Sequence, residues 1–265
     1  MSLVLQQVGI RYGRKTVVHD VTLAPLLSGS MVAMVGANGA GKSSTLRALA
    51  GLQPMTGQAL LDGENLAQMT AAARARRVAY MPQSLPQAST LTVYESVLSA
   101  VRTACPQLAW GLVQQRLEQV LTDLGLATLA LRPLDALSGG QRQMAGLAQL
   151  LVRQPRLLLL DEPTSALDMR WQLCLMQALR RYLDQHQALC LMAVHDLSLA
   201  ARFCPDMVVM AQGRVVARGE PGRILTPALL RQAYGIVARV ETCSLGTPVV
   251  VAEQALDDLG PATPP

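Results

Sequence analysis

Apolar and polar positions alternate along residues 3–27, in Leu3-Val4-Leu5, Val17-Val18 and Val21-Thr22-Leu23, with a turn at Tyr12-Gly13-Arg14-Lys15. That period of two predicts a small antiparallel sheet. An unbroken apolar run, Met31 to Val35, follows, then a glycine-rich loop and a helix expected from Ser44 to Leu52, closed by Gly51. Gly57 to Gly63 reads as a strand and turn, and Val78 to Met81 as a strand ending at Pro82-Gln83. From about Pro86 to Gln154 the period becomes helical, with Val93 to Leu98 and Leu112 to Leu126 carrying apolar residues every three or four positions. This predicts an inserted helical subdomain. Leu157 to Leu160 and Leu189 to Val194 show no polar alternation, as expected of strands in a parallel sheet covered by helices on both faces. Met207 to Met210, the turn Gln212-Gly213-Arg214 and Val215 to Ala217 add two strands, and Pro227 to Tyr234 a helix. Beyond Gly235 the pattern weakens, and Leu259 to Pro265 has the composition of a disordered end. The expected fold class is α/β: a mainly parallel sheet, an N-terminal antiparallel β subdomain and an inserted helical subdomain.

Composition narrows the class. The 265 residues suffice for one large domain or two closely packed subdomains, and 51% are hydrophobic against 15% charged. No apolar run approaches the roughly 18 to 20 residues that span a bilayer. The start, Met1 to Gln6, lacks the basic head and apolar segment of a secretory signal, so a cytoplasmic chain is expected. Net charge is +5 and almost wholly arginine, Lys15 and Lys42 being the only lysines. The arginines are dispersed, apart from Arg74-Ala75-Arg76-Arg77 and Arg180-Arg181, which favours solvated helix faces over a nucleic-acid surface. Five cysteines without C-x-x-C spacing indicate neither a zinc site nor a disulfide framework.

The chemistry concentrates in a few stretches. Gly36-Ala37-Asn38-Gly39-Ala40-Gly41-Lys42-Ser43 matches G-x-x-x-x-G-K-[ST] between a strand and a helix, the setting in which glycines turn successive N–H groups around a phosphate. The helix end adds its positive dipole, Lys42 is expected at the β- and γ-phosphates, and the Ser43 hydroxyl at Mg²⁺. Ser138-Gly139-Gly140-Gln141 opens a helix expected from Arg142 to Arg153 and reads either as a helix cap or as a second anion-binding end. The latter would close over a nucleotide held by another copy of the chain. Asp161 and Glu162 end a buried strand: one side chain can serve Mg²⁺ and the other the attacking water, or the pair can cap the next helix. His195 falls at the carboxyl end of another strand, where ligands bind in open α/β sheets. Tyr12 offers a ring for a base, or packs at its turn.

Taken in order and spacing, GANGAGKS, Gln83, LSGGQ, LLLLDEP, Ser165-Ala166-Leu167-Asp168 and His195 resemble the ATP-binding cassette of ABC transporters over residues 3–235. The resemblance implies a P-loop NTPase core, ATP and Mg²⁺. Tyr12 would stack on adenine, and Gly36 to Ser44 would bind the phosphates. Ser43, Gln83 and Asp161 would serve the metal, Glu162 would be the general base, and His195 would contact the γ-phosphate. Asp168 would communicate across a homodimer in which Ser138 to Gln141 completes the partner's site. Leu147-Ala148-Gln149-Leu150 departs from the usual A-R-A-L. With Val93 to Arg102, His195 to Ala201 and Leu225 to Gly235, it resembles the subgroup importing ferric siderophores, haem and cobalamin in bacteria. The implied arrangement is an ATPase domain at 1–235, its helical subdomain at about 86–154, and a partly disordered extension at 236–265. It would sit peripherally on the cytoplasmic face of the inner membrane, with integral permease subunits and, indirectly, an extracytoplasmic solute-binding protein as partners. An exporter or an importer of another solute would share every catalytic residue. A soluble relative acting on nucleic acid or ribosomes is disfavoured, since those generally carry two cassettes or a coiled-coil insertion.

Overall fold

The computed structural model describes residues 2–84 and 89–256. The expected onset of the helical insertion at Pro86 and the expected disordered end at Leu259 to Pro265 lie outside the described residues.

Strands β1 (Ser2–Tyr12) and β2 (Lys15–Leu27) form a hairpin, and β3 (Met31–Val35) leads into α1 (Lys42–Leu49), which starts two residues before the expected Ser44. Next come β4 (Thr56–Leu61), β5 (Glu64–Asn65), α2 (Ala71–Arg77) and β6 (Val78–Met81). The helical stretch is α3 (Val93–Ala104), α4 (Trp110–Asp123) and α5 (Gly139–Leu151). Then β7 (Leu157–Asp161), α6 (Met169–His186), β8 (Leu189–Ala193), α7 (Leu197–Phe203), β9 (Asp206–Ala211) and β10 (Arg214–Gly219) complete the central sheet and its covering. Two short helices, α8 (Pro221–Ile224) and α9 (Pro227–Tyr234), precede β11 (Ile236–Thr242) and β12 (Pro248–Ala255).

Six strands in the order β10-β9-β3-β8-β7-β6 make the central sheet, parallel except for β10. Its strands alternate between two cores. Met31, Ala33, Val35, Leu158, Leu160, Cys190 and Met192 face one with α3 to α6. Val32, Met34, Leu157, Leu159, Leu189 and Leu191 face the other, shared with the sheet β2-β1-β4-β5 and with Leu46 and Leu49 of α1. The four leucines of β7 are fully buried, a gross stabilisation of roughly 6–12 kcal/mol before the entropy of ordering them. This is why the run shows no polar alternation: neither face meets water.

Because β3, β6, β7 and β8 are parallel, their carboxyl ends share one edge of the sheet. Val35, Met81, Asp161 and Ala193 therefore deliver the glycine loop, Gln83, Glu162 and His195 to one place.

Two further expectations are corrected. Helix α5 begins at Gly139, not Arg142, because Ser138 is its N-cap, in a capping box in which Ser138 Oγ accepts from Gln141 N and Ser138 N donates to Gln141 Oε1. Residues 236–256, expected to be weakly structured, contain the antiparallel pair β11 and β12, which packs on α9 and α7 and donates Val250 N to Ser198 Oγ at 3.4 Å. The basic cluster at 74–77 lies on α2, where Arg74 donates to Leu66 O and Met69 O and Arg77 pairs with Glu64 at 2.7 Å. The charges of Arg74 and Arg77 serve local structure.

Candidate functional site

Gly36 leaves β3 with φ 148°, and a side chain there would run into the backbone of Met210. The loop that follows wraps a concavity of about 120 Å³ lined by Asn38, Gly39, Ala40, Gly41, Lys42, Ser43, Ser44, Val17 and Glu162. Helix α1 points its N-terminus into it, with no side chain capping the free N–H groups, so these amides and the dipole face whatever the concavity holds. An anion fits there. Lys42, 4% exposed, donates from Nζ to Gly36 O at 2.6 Å and Ala37 O at 3.1 Å. Burial lowers its pKa, against the charges of Glu162 and Asp161, which raise it.

Asp161 and Glu162 divide at the end of β7. Asp161, fully buried, accepts from Ser43 Oγ at 2.7 Å through Oδ1 and from Tyr80 OH at 3.2 Å through Oδ2. Glu162 takes up the left-handed conformation with φ 52°, which for a residue other than glycine costs roughly 1–3 kcal/mol. Its carbonyl accepts from Ser165 N and Ser165 Oγ, holding the turn. The Glu162 carboxylate accepts from Gln83 Nε2 at 2.6 Å and is paired with His195 Nε2. Thus Lys42, Ser43, Gln83, Asp161, Glu162 and His195, from four separate segments, meet at one edge of the sheet.

Tyr12 ends β1, 41% exposed, with its hydroxyl 3.4 Å from Ser44 Oγ, at the rim of the glycine loop. Asp168 caps α6, its carboxylate accepting from Trp171 N at 2.9 Å. Ser138 to Gln141 do not line the concavity of their own chain. Gly140 is buried where a side chain would enter the Trp171 indole, so the second glycine of that stretch is needed for the packing of α5 on α6. Two side chains at the site give no signal in the sequence spacing. Gln143 ties α5 to Pro163 O at 2.9 Å, and Tyr80 joins Asp161 to Arg47, whose Nε donates to the Tyr80 hydroxyl at 3.4 Å.

The donor set around Ser43 and Asp161 is hard oxygen, suited to Mg²⁺. Among the described residues no group of three or more His, Cys, Asp or Glu side chains is placed to hold a metal by itself.

A family model described as "ABC transporter" matches residues 19–165, more than half of the chain. This chain belongs to the ABC transporter family. The hemin import ATP-binding protein HmuV of Bordetella pertussis is 37% identical over 249 residues, covering 91% of this chain and 94% of that protein. The iron(3+)-hydroxamate import ATP-binding protein FhuC of Bacillus subtilis is 34% identical over 246 residues, covering 91% and 90%. The cobalamin import ATP-binding protein BtuD of Halobacterium salinarum is 36% identical over 228 residues, and there the match spans only 57% of the relative. Among solved structures, an ATP-binding subunit of an ABC transporter superposes with a TM-score of 0.74 at 28% identity, over 83% of this chain and 90% of that one. The protein cbiO1 of Clostridium perfringens, with a TM-score of 0.75 at 24% identity over 84% and 89% of the two chains, shares the fold. Among the described residues no helix is long and apolar enough to cross a membrane.

Proposed function

We propose that the chain is the ATP-hydrolysing motor subunit of a bacterial importer for an iron siderophore, haem or cobalamin. The observation that carries this reading is the meeting of Lys42, Ser43, Asp161, Glu162, Gln83 and His195 at the carboxyl edge of the parallel sheet. The named relatives, import ATP-binding proteins for hemin, iron(3+)-hydroxamate and cobalamin, support the cargo class.

The loop amides, the end of α1 and Lys42 bind the β- and γ-phosphates, exchanging the Lys42 bonds to Gly36 O and Ala37 O for bonds to phosphate oxygen. Tyr12 stacks on the adenine. Ser43, Asp161 and Gln83 are the residues that would hold Mg²⁺, which would supply neutralisation of the charge on the phosphate oxygens. Glu162, 9% exposed and held between Gln83 and His195, orients the attacking water and takes its proton. The water oxygen bonds to the γ-phosphorus as the bond to the β-γ bridging oxygen breaks, giving ADP and inorganic phosphate. His195 contacts the γ-phosphate. Positioning and charge stabilisation provide most of the acceleration in such a reaction.

Two copies would sandwich two nucleotides, each between one glycine loop and the partner's Ser138 to Gln141, with Asp168 at the seam. The helical subdomain would receive a cytoplasmic helix of an integral permease subunit, itself fed by an extracytoplasmic solute-binding protein. The chain would sit peripherally on the cytoplasmic face of the inner membrane and take no nucleic acid. In this scheme residues 1–235 are the ATPase domain and 236–265 an extension outside the chemistry. Glu162→Gln tests the core: hydrolysis falls by about 100-fold or more while ATP still binds and ATP-bound dimers accumulate. Hydrolysis near the wild-type rate would remove Glu162 as the base.

A further inference from the structure

Asp161 is a fully buried carboxylate whose two oxygens are held by different partners. Ser43, from the glycine loop, takes Oδ1, and Tyr80, from the edge strand β6, takes Oδ2. The second contact follows from sheet register. Tyr80 pairs with Leu159 in the parallel β6–β7 ladder, two residues before Asp161 and on the same face. Two residues rise about 6.6 Å along a strand, a span that a tyrosine covers and a serine or threonine does not. The Tyr80 hydroxyl is in turn anchored, since it accepts from Arg47 Nε on α1. Arg47 thus feeds a chain of hydrogen bonds that runs through Tyr80 and Asp161 back to Ser43, four residues before it on the same helix.

We propose that Tyr80 is a positioning residue of the metal site, fixing the Asp161 carboxylate in the orientation in which it and Ser43 meet Mg²⁺, with Arg47 holding the hydroxyl in place. The inference rests on the ATPase reading of the same site and adds to it residues outside the motifs. A carboxylate with one oxygen released rotates about its side-chain torsions, and a hard cation of strict geometry tolerates that poorly. Partners of this kind, one bond removed from the metal, are worth about 10- to 100-fold in metal affinity. The phenol ring itself packs against the core shared with α1, so Tyr80→Phe keeps the packing and removes only the hydroxyl.

The test is equilibrium binding of a fluorescent ATP analogue to the full chain, in Mg²⁺ and in excess EDTA, for wild type, Tyr80→Phe and Arg47→Met. Tyr80→Phe is expected to bind the nucleotide about tenfold more weakly in Mg²⁺ and equally well in EDTA. The Mg²⁺ concentration for half-maximal hydrolysis is expected to rise by a similar factor. Arg47→Met shifts the same way by less, and adds nothing in the Tyr80→Phe background. The proposal is overturned if Tyr80→Phe keeps the wild-type gain from Mg²⁺, or if it loses affinity equally in EDTA, as a purely structural residue would. A wild-type chain that binds no ATP in Mg²⁺ would instead overturn the ATPase reading on which the inference stands.

Discussion

The glycine loop makes a quantitative demand at Gly36. A Cβ built there would lie 3.1 Å from the Met210 carbonyl carbon and 3.2 Å from the Ala40 Cβ, with the Met210 oxygen closer still. Those neighbours cannot rotate aside, because Met210 belongs to β9, which is locked to β3 through the Val35–Val209 pairing. Forcing a methyl group into such a wall costs roughly 1–3 kcal/mol, and holding an L-residue at φ 148° a further 1–3 kcal/mol or so. Gly36→Ala should therefore lose about 4 kcal/mol. For a chain of this size each kcal/mol lowers the melting temperature by roughly 2–4 °C, so a drop of about 8–16 °C is expected. Gly39 provides the control: it too has positive φ, but an added Cβ meets nothing within 4 Å. Gly39→Ala keeps only the backbone cost, about 1 kcal/mol, and should melt about 2–4 °C below wild type. Circular dichroism melts of the three proteins decide the matter. A Gly36→Ala protein within about 3 °C of wild type, or a Gly39→Ala protein falling as far, would refute the reasoning.

Ser138→Ala removes the cap of α5 at a cost of about 1 kcal/mol, and should slow hydrolysis while leaving nucleotide affinity of the dilute subunit intact, as titration at low protein concentration would show. Burial lowers the His186 pKa, with Arg116 adding to the effect, so the folded chain binds that proton more weakly than the unfolded one. The resulting contribution is complete above the ordinary value of 6.5 and is lost as pH falls below it towards the folded pKa. Melting temperature should thus decline between pH 7.5 and 5.5, with a shallower slope in His186→Gln. Hydrogen bonds from the Leu245 and Thr247 backbone lower the Cys243 pKa, whereas burial pushes the Cys204 thiol up to about 12 and the Cys190 thiol well above its usual value. Peptide mapping after brief maleimide treatment should find Cys243 labelled ahead of both.

What the sequence discloses, it discloses where chemistry and local geometry coincide. The run into Gly36, the four leucines before Asp161 and the run before His195 are legible because apolar continuity marks a doubly covered strand. Their polar ends then mark the edge where ligands gather. Helix α6 goes unassigned in the sequence, although Leu175, Met176, Leu179, Tyr182 and Leu183 recur at helical spacing on its buried side. The flanking polar and basic residues dilute that signal. The pairing of β11 with β12 is hidden for another reason: its strands are only partly covered, so Val249-Val250-Val251 stands alone without the alternation of a half-buried sheet. Tyr80 and Arg47 are invisible because they reach Asp161 across strands and a helix, and no spacing along the chain encodes a lateral neighbour.

The leucines of β7 carry a further consequence. Four identical side chains, each buried whichever way it points, fit their two cores equally well if the strand slides by one place, so the most apolar strand is also the one with the least positional information. Its phase must come from its polar ends: Arg156 N bonded to Arg77 O at one, Asp161 bonded to Ser43 and Tyr80 at the other. A single residue inserted among the leucines would set a leucine opposite Ser43 and Tyr80 and carry both Asp161 and Glu162 one place on. The bonds that hold Asp161 therefore also act as the strand's ruler.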